Sequence, residues 1–253
     1  MKKMLIPLAA GIVFLAGLGA PSLDGQSRPG WFLDLETGGA FLGYCDVAIP
    51  GDSGTRFSLT DDLESSGSAF VRFRAGLNFR KRHTLWVLFA PLSLDGSGQL
   101  PYQLDFNGVT FPAGVSLTSN YRFNSYRLSY QYRIKDGDKL KIGIGLTAKI
   151  RDAGISIEGG GLASQKTNVG FVPIINFLVD WRFSPAWSLL LEGDALAAPQ
   201  GRAEDVFFGL VYRTGVHWSF RAGYRILEGG SDVEEVYNFA LVNYLSFGAT
   251  YHF

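Results

Sequence analysis

Read in steps of two, most of this sequence separates into an apolar set and a polar set. From Ser68 to Phe79, the residues Ala69, Val71, Phe73, Ala75, Leu77 and Phe79 fall on one side of an extended chain, and Arg72, Arg74 and Asn78 on the other. Farther on, Tyr126, Leu128, Tyr130, Tyr132 and Ile134 face away from Arg127, Ser129, Gln131 and Arg133. Leu140, Ile142, Ile144, Leu146, Ala148 and Ile150 likewise oppose Lys139, Lys141, Thr147, Lys149 and Arg151. Successive side chains of a strand point to opposite faces, so a period of two predicts β-structure. Turn residues divide the alternation into about ten strands. They run from about Trp31 to Val47, Ser68 to Phe79, Thr84 to Phe106, Val109 to Ile134, Leu140 to Arg151, Val169 to Phe183, Trp187 to Leu196, Asp205 to Arg213, His217 to Glu228, and Tyr237 to Phe253.

The connections alternate in length. Short ones lie near Lys81, Gly137, Pro185 and Gly215, and longer polar ones at Ala48–Ser66, around Gly159-Gly160-Gly161, at Ala197–Glu204 and around Gly229–Glu235. Asn107-Gly108 is a strong two-residue hairpin signal, which predicts that strands three and four project from the sheet as an arm. Transmembrane barrels place short turns at the periplasm and long loops outside. The predicted fold class is therefore all-β: an antiparallel up-and-down transmembrane β-barrel of about ten strands, with both termini periplasmic. A soluble β-sandwich or lipocalin-like barrel would leave the aromatic faces of strands two, four, nine and ten in water.

The last stretch, YNFALVNYLSFGATYHF, carries the same signature to the end of the sequence. Phe253, Tyr251, Ala249, Phe247, Leu245, Asn243, Leu241, Phe239 and Tyr237 share one face, and His252, Thr250, Gly248, Ser246, Tyr244, Val242 and Ala240 the other. A terminal Phe with Tyr two residues before it resembles the closing strand of bacterial outer-membrane β-barrels. In those proteins the barrel-assembly machinery reads that strand. The resemblance implies that Tyr251 and Phe253 form the assembly signal, and that the partners are this machinery and outer-membrane lipid, including lipopolysaccharide. The chain is similar to small barrels of the OmpA, OmpX and OmpW kind, with a strand count more like omptins. No catalytic motif of these families matches.

Residues 1–22 read as a signal peptide, leaving 23–253 as the barrel. Lys2 and Lys3 precede an apolar run from Leu5 to Leu18, and small residues then offer cleavage pairs at Gly17/Gly19 or Ala20/Ser22. That run is shorter than the ~20 residues a membrane-spanning helix needs. Lys+Arg and Asp+Glu are both 23, so the balance that favours nucleic-acid binding is absent. Aromatic residues at 14% and 32 glycines fit lipid-facing girdles and close strand packing. Cys45 is the sole cysteine, which excludes an internal disulfide and reads as an isolated strand residue.

Taking the greasier face of each strand as lipid-facing places a ring of charges inside. It comprises Asp34, Glu36, Arg72, Arg74, Arg127, Arg133, Lys149, Asp180, Arg182, Glu192, Asp194, Arg213, Arg221 and Arg225, with Lys139, Lys141 and Arg151 beside them. Isolated charges in a narrow barrel are expensive, whereas facing opposite charges compensate one another. At about ten strands side chains fill much of the interior. The expectation is a lumen held by an ion-pair network, with a polar conduit as the alternative.

Little else carries chemistry. Outer-membrane enzymes of this size use a histidine near the outer rim, where general acid–base work at neutral pH favours that side chain. His83, His217 and His252 all fall at or beside predicted periplasmic positions. No His/Cys cluster has metal-ligand spacing, and no helix follows the glycine run to make a phosphate site, so no metal or cofactor is expected. Carboxylates gather at the predicted outer rim, at Glu192, Asp194, Glu204 and Asp205 and again at Glu228, Asp232, Glu234 and Glu235. Loops of this kind are ordinarily solvated, although such density also suits divalent cations. Three functions follow: a non-enzymatic structural or surface-binding barrel, a narrow channel for small solutes, or a rim enzyme acting on lipid or peptide. The last requires Asp194 and Asp205 to converge.

Overall fold

The computed structural model describes residues 30–198 and 201–253. The segment read as a signal peptide lies outside the described residues, as does Pro199. The first strand, β1 (Gly30–Ala48), pairs on one side with β4 (Ser68–Phe79) and on the other with β15 (Val236–His252), and the two-residue strands β2 (Phe57–Ser58) and β3 (Glu64–Ser65) lie between β1 and β4 in the chain. From β4 the ladder passes to β5 (His83–Ala90) and then to β9 (Ser116–Asp136), which also pairs with β6 (Ser93–Gln99). It continues antiparallel through β10 (Leu140–Gly159), β11 (Leu162–Arg182), β12 (Trp187–Ala198), β13 (Gly201–Thr214) and β14 (Trp218–Val233) back to β15. Because β5 and β6 occupy one position in succession, the ring closes on ten strands among the described residues. Closure leaves no open edge in the ring, which is what a sheet in lipid requires.

The alternation works as the sequence implies. Leu33, Leu35, Val71, Phe73, Val87, Leu128, Ile144, Leu146, Ile175, Leu210, Leu245 and Phe247 are exposed on the outer surface. Aromatic residues border this band. Trp31, Trp181, Trp187, Trp218 and Phe253 lie toward the termini end, where the described residues begin at Gly30 and finish at Phe253, and Phe41, Phe89, Tyr126, Phe171, Phe208 and Tyr224 lie toward the far end. An apolar belt between aromatic girdles matches a bilayer and its two interfaces.

The strands are longer than the bilayer requires. A membrane-spanning strand needs about 9–11 residues, while β9, β10 and β11 have 21, 20 and 21. The excess lies at the far end. The glycine run expected in a longer loop is instead the tight turn between β10 and β11, with Gly160 and Gly161 at positive φ. The expected loops at 197–204 and 229–235 are also largely strand, paired Ala198↔Gly201 and Val233↔Val236. Polar alternation in water forms strand as readily as apolar alternation in lipid, so turn residues alone overstate loop length here.

The arm predicted at Asn107-Gly108 is a hairpin that does not project. β7 (Leu104–Phe106) and β8 (Val109–Phe111) form their own two-stranded sheet, turning through Asn107 and Gly108 at positive φ. This hairpin folds back on the far end. The Asn107 amide donates to the Ile49 carbonyl at 2.7 Å, and the Thr55 amide to that of Asp105 at 3.0 Å. Leu104, Phe106 and Phe111 are fully buried with Cys45, Ile49, Phe57, Leu63, Leu94, Leu117 and Ile157. Three large apolar side chains on an eight-residue hairpin would be costly in water, which is why the segment turns inward. The result is an apolar core at the far end, capping one side of the ring.

Candidate functional site: the barrel interior

Two adjacent strands begin the interior layer. β1 turns Asp34 and Glu36 inward, and register sets Asp34 opposite Arg74 and Glu36 opposite Arg72 on β4. β14 brings Arg221 and Arg225 from the other side. Both oxygens of Glu36 accept from Arg225, at 2.7 and 2.9 Å; Oε2 also accepts from Arg221 at 3.0 Å, and Oε1 from the Ser246 hydroxyl at 2.8 Å. Arg72 Nε lies 3.8 Å from the same carboxylate. Asp34 accepts from Arg221 at 2.8 Å and from the Thr250 hydroxyl at 2.6 Å. Gly248 makes this possible, because a Cβ there would sit 2.7 Å from the Arg221 guanidinium carbon.

Across the ring, Asp194 on β12 and Asp205 on β13 are directly opposed. Two like charges so placed repel, and Arg127 reaches over from β9 to donate to both. Asp205 also accepts from Arg225 at 2.6 Å and Arg72 at 2.9 Å, while the Thr147 hydroxyl donates to Asp194 at 2.6 Å. Glu192 accepts from Arg74 at 2.8 and 3.3 Å. Five arginines and five carboxylates thus form one neutral belt. Its geometry meets the condition for buried ion pairs to be tolerated, because most of the charged atoms have a hydrogen-bonded partner.

Five residues expected in the same network lie apart from it. Asp180 and Arg213 pair with each other toward the termini end, where Arg213 also donates to Ser188 at 2.7 Å. Arg133 bonds Asn78 at 2.7 Å and stands 3.5 Å from Asp136, next to a short turn. Arg182 has no ion pair among the described residues. Lys149 faces inward and is buried, but among the described residues its ammonium has neither an ion pair nor a hydrogen bond; the Phe123 ring lies 4.9 Å away.

The sequence alone does not place Asp205 in the belt: it stands first in its strand, among the carboxylates expected at the outer rim. The signal was present: Asp205, Phe207, Gly209, Val211 and Arg213 share one face of β13.

The belt divides the interior. A cavity of about 310 Å³ on the termini side is lined by Asp34, Arg74, Arg133, Asp180, Glu192 and Arg213, among others. A second, of about 370 Å³, opens on the far side between Tyr121, Phe123, Ile155, Leu196, Leu227 and Val242, with Lys149 and Arg151 in its wall. The two share no lining residue. Between them Glu36, Asp205, Phe207 and Tyr244 are each at most 2% exposed.

The histidines stand at the termini end. His83 bonds the Tyr130 hydroxyl at 2.7 Å, and His217 lies 2.7 Å from the His252 carbonyl. At the far end Arg202 grips Glu228 with bonds of 2.8 and 2.9 Å and holds its carboxyl below the usual range. No group of three or more potential metal ligands occurs among the described residues.

A closed antiparallel ring with a lipid-facing apolar band and a charged interior is the architecture of outer-membrane β-barrels. The solved structure of one such barrel agrees at the level of fold. OmpT, the outer membrane protease of Escherichia coli, superposes with a TM-score of 0.57 at 9% identity, over 90% of this chain and 98% of that one. Ail of Yersinia pestis, solved with the heparin analogue sucrose octasulfate, gives a TM-score of 0.39 at 12% identity, over 88% and 99%. Neisserial surface protein A gives 0.32 at 14%, over 91% and 100%. No family model matches the sequence, and no curated protein does.

Proposed function

We propose that this chain is a non-enzymatic outer-membrane barrel with a closed lumen, its termini in the periplasm and its capped far end outside, serving a structural or surface-binding role. The observation that carries this reading is the belt. A solute crossing from one cavity to the other must part Glu36 from Arg72, Arg221 and Arg225, and Asp205 from Arg72, Arg127 and Arg225, with Phe207 and Tyr244 packed at the same level. Breaking a single buried pair typically costs about 3–5 kcal/mol.

Two features argue against a rim enzyme. Asp194 and Asp205 do converge, but beneath the mouth and as partners of arginines, so neither is a free acid or base. The far mouth also has no histidine among the described residues. Lipopolysaccharide around the rim and the assembly machinery during insertion remain the partners we assign.

Reconstitution into planar bilayers tests the closed lumen. The expected result is no steady conductance at neutral pH. A stable ohmic conductance would overturn it in favour of a narrow channel for small solutes.

A further inference from the structure

The far-side cavity holds a buried charge that the belt does not use. Arg72, Arg74, Arg127, Arg221 and Arg225 balance Asp34, Glu36, Glu192, Asp194 and Asp205, which leaves Lys149 in surplus. Lys149 is 2% exposed and lines the cavity. Its strand neighbour across the ladder is Arg127, a like charge. Asp194 and Asp205, the carboxylates that Arg127 holds, are already engaged by arginines. A lysine this buried without a hydrogen-bonded anion is unusual, because desolvating the ammonium is costly unless a partner returns the energy.

The other charges around the cavity are differently placed. Arg202 is held by Glu228, and Arg151 donates to the Asn168 side chain. Lys166 and Glu235 stand in the wall as well. The rest of the wall is mainly apolar, with Ile155, Leu196, Leu227, Val236 and Val242 facing the space. A volume of about 370 Å³ lies in the range of small-molecule sites, which pair apolar walls with a few polar groups.

We propose that this cavity binds a small amphipathic anion, with a carboxylate or phosphate head on Lys149 and an aliphatic body along the apolar wall. The head supplies the hydrogen-bonded counter-charge that Lys149 lacks. The body replaces water against side chains that gain by losing it. This rests on the reading that the belt closes the cavity floor and that the far end opens outside.

Octanoate is a suitable probe of the carboxylate case and octyl phosphate of the other, each titrated calorimetrically into the full barrel in nanodiscs, with empty nanodiscs subtracted. Saturable binding is expected for at least one, with octanamide about tenfold or more weaker, since the amide cannot supply the charge-assisted bond to Lys149. Lys149→Met should abolish the preference for the anion. Ala153→Phe, which narrows the cavity and leaves Lys149 in place, should weaken both anion and amide, and it serves as the test if Lys149→Met does not fold. No saturable binding above empty nanodiscs, equal binding of anion and amide, or an anion preference unchanged in Lys149→Met would each overturn the proposal. Conductance bears on the belt alone, whereas this binding is read on the same protein whether or not it conducts, so the two readings fail separately.

Discussion

Glu36 and Arg225 meet inside the barrel through hydrogen bonds of 2.7 and 2.9 Å, although 189 positions separate them in sequence. The pair joins strands on either side of β15, so it ties the two ends of the chain into one ring. Glu36→Gln keeps the volume and removes the charge that Arg72, Arg221 and Arg225 share. The expected loss is about 3–5 kcal/mol, because three guanidinium groups are left undercompensated in a dry site. A lower urea midpoint with unchanged slope, measured in detergent micelles, would register it. Replacing Glu36 and Arg225 together by Met should restore much of the loss, since a buried pair exchanged for apolar groups is often neutral. An unchanged midpoint for the single variant would mean that water screens the belt.

The far-end core should behave as a separate unit. Phe106 is fully buried there along with Cys45. Phe106→Ala is expected to remove about 3–5 kcal/mol of local packing, opening the cap while the lipid-embedded ring stays closed. Cys45 reports on this directly. It should resist a maleimide in the wild-type barrel and react readily in the variant, with β-sheet circular dichroism unaltered. Equal reactivity in both would show that the cap opens on its own.

Phe253 separates assembly from stability. Its side chain is 66% exposed, packs edge-on against Tyr251 with ring centroids 4.9 Å apart, and its amide donates to the Trp31 carbonyl at 3.0 Å. Deleting it should cost the refolded protein only about 1 kcal/mol. In cells, by contrast, the truncated chain should accumulate outside the membrane, because the terminal aromatic is proposed as the assembly signal. Normal insertion of the shortened chain would refute that role.

Strand faces were legible wherever lipid met one side. Val71, Phe73, Leu128 and Leu146 announce an outer surface, and the opposed arginines an inner one. What the pattern hid has physical reasons. Beyond the bilayer neither face of β10 or β11 must be greasy, so Ser156 or Thr167 reads as loop although it sits in a ladder. The Asn107-Gly108 turn was plain, but its destination depended on a core assembled from Ile49, Phe57 and Leu117, which no local window contains. Asp205 was obscured by the acidic residues around it. Lys149 could be placed inward, but its lack of a partner is a property of the whole ring.

The inward hairpin also fixes how the far mouth can respond to a visitor. Clearing it would drag Leu104, Phe106 and Phe111 into water, at about 1.5–3 kcal/mol for each. At that cost the open cap is populated less than about one part in a thousand of the time. The entrance should therefore act as a rigid mould rather than a swinging door, so that whatever the proposed cavity admits is chosen by shape and charge already in place.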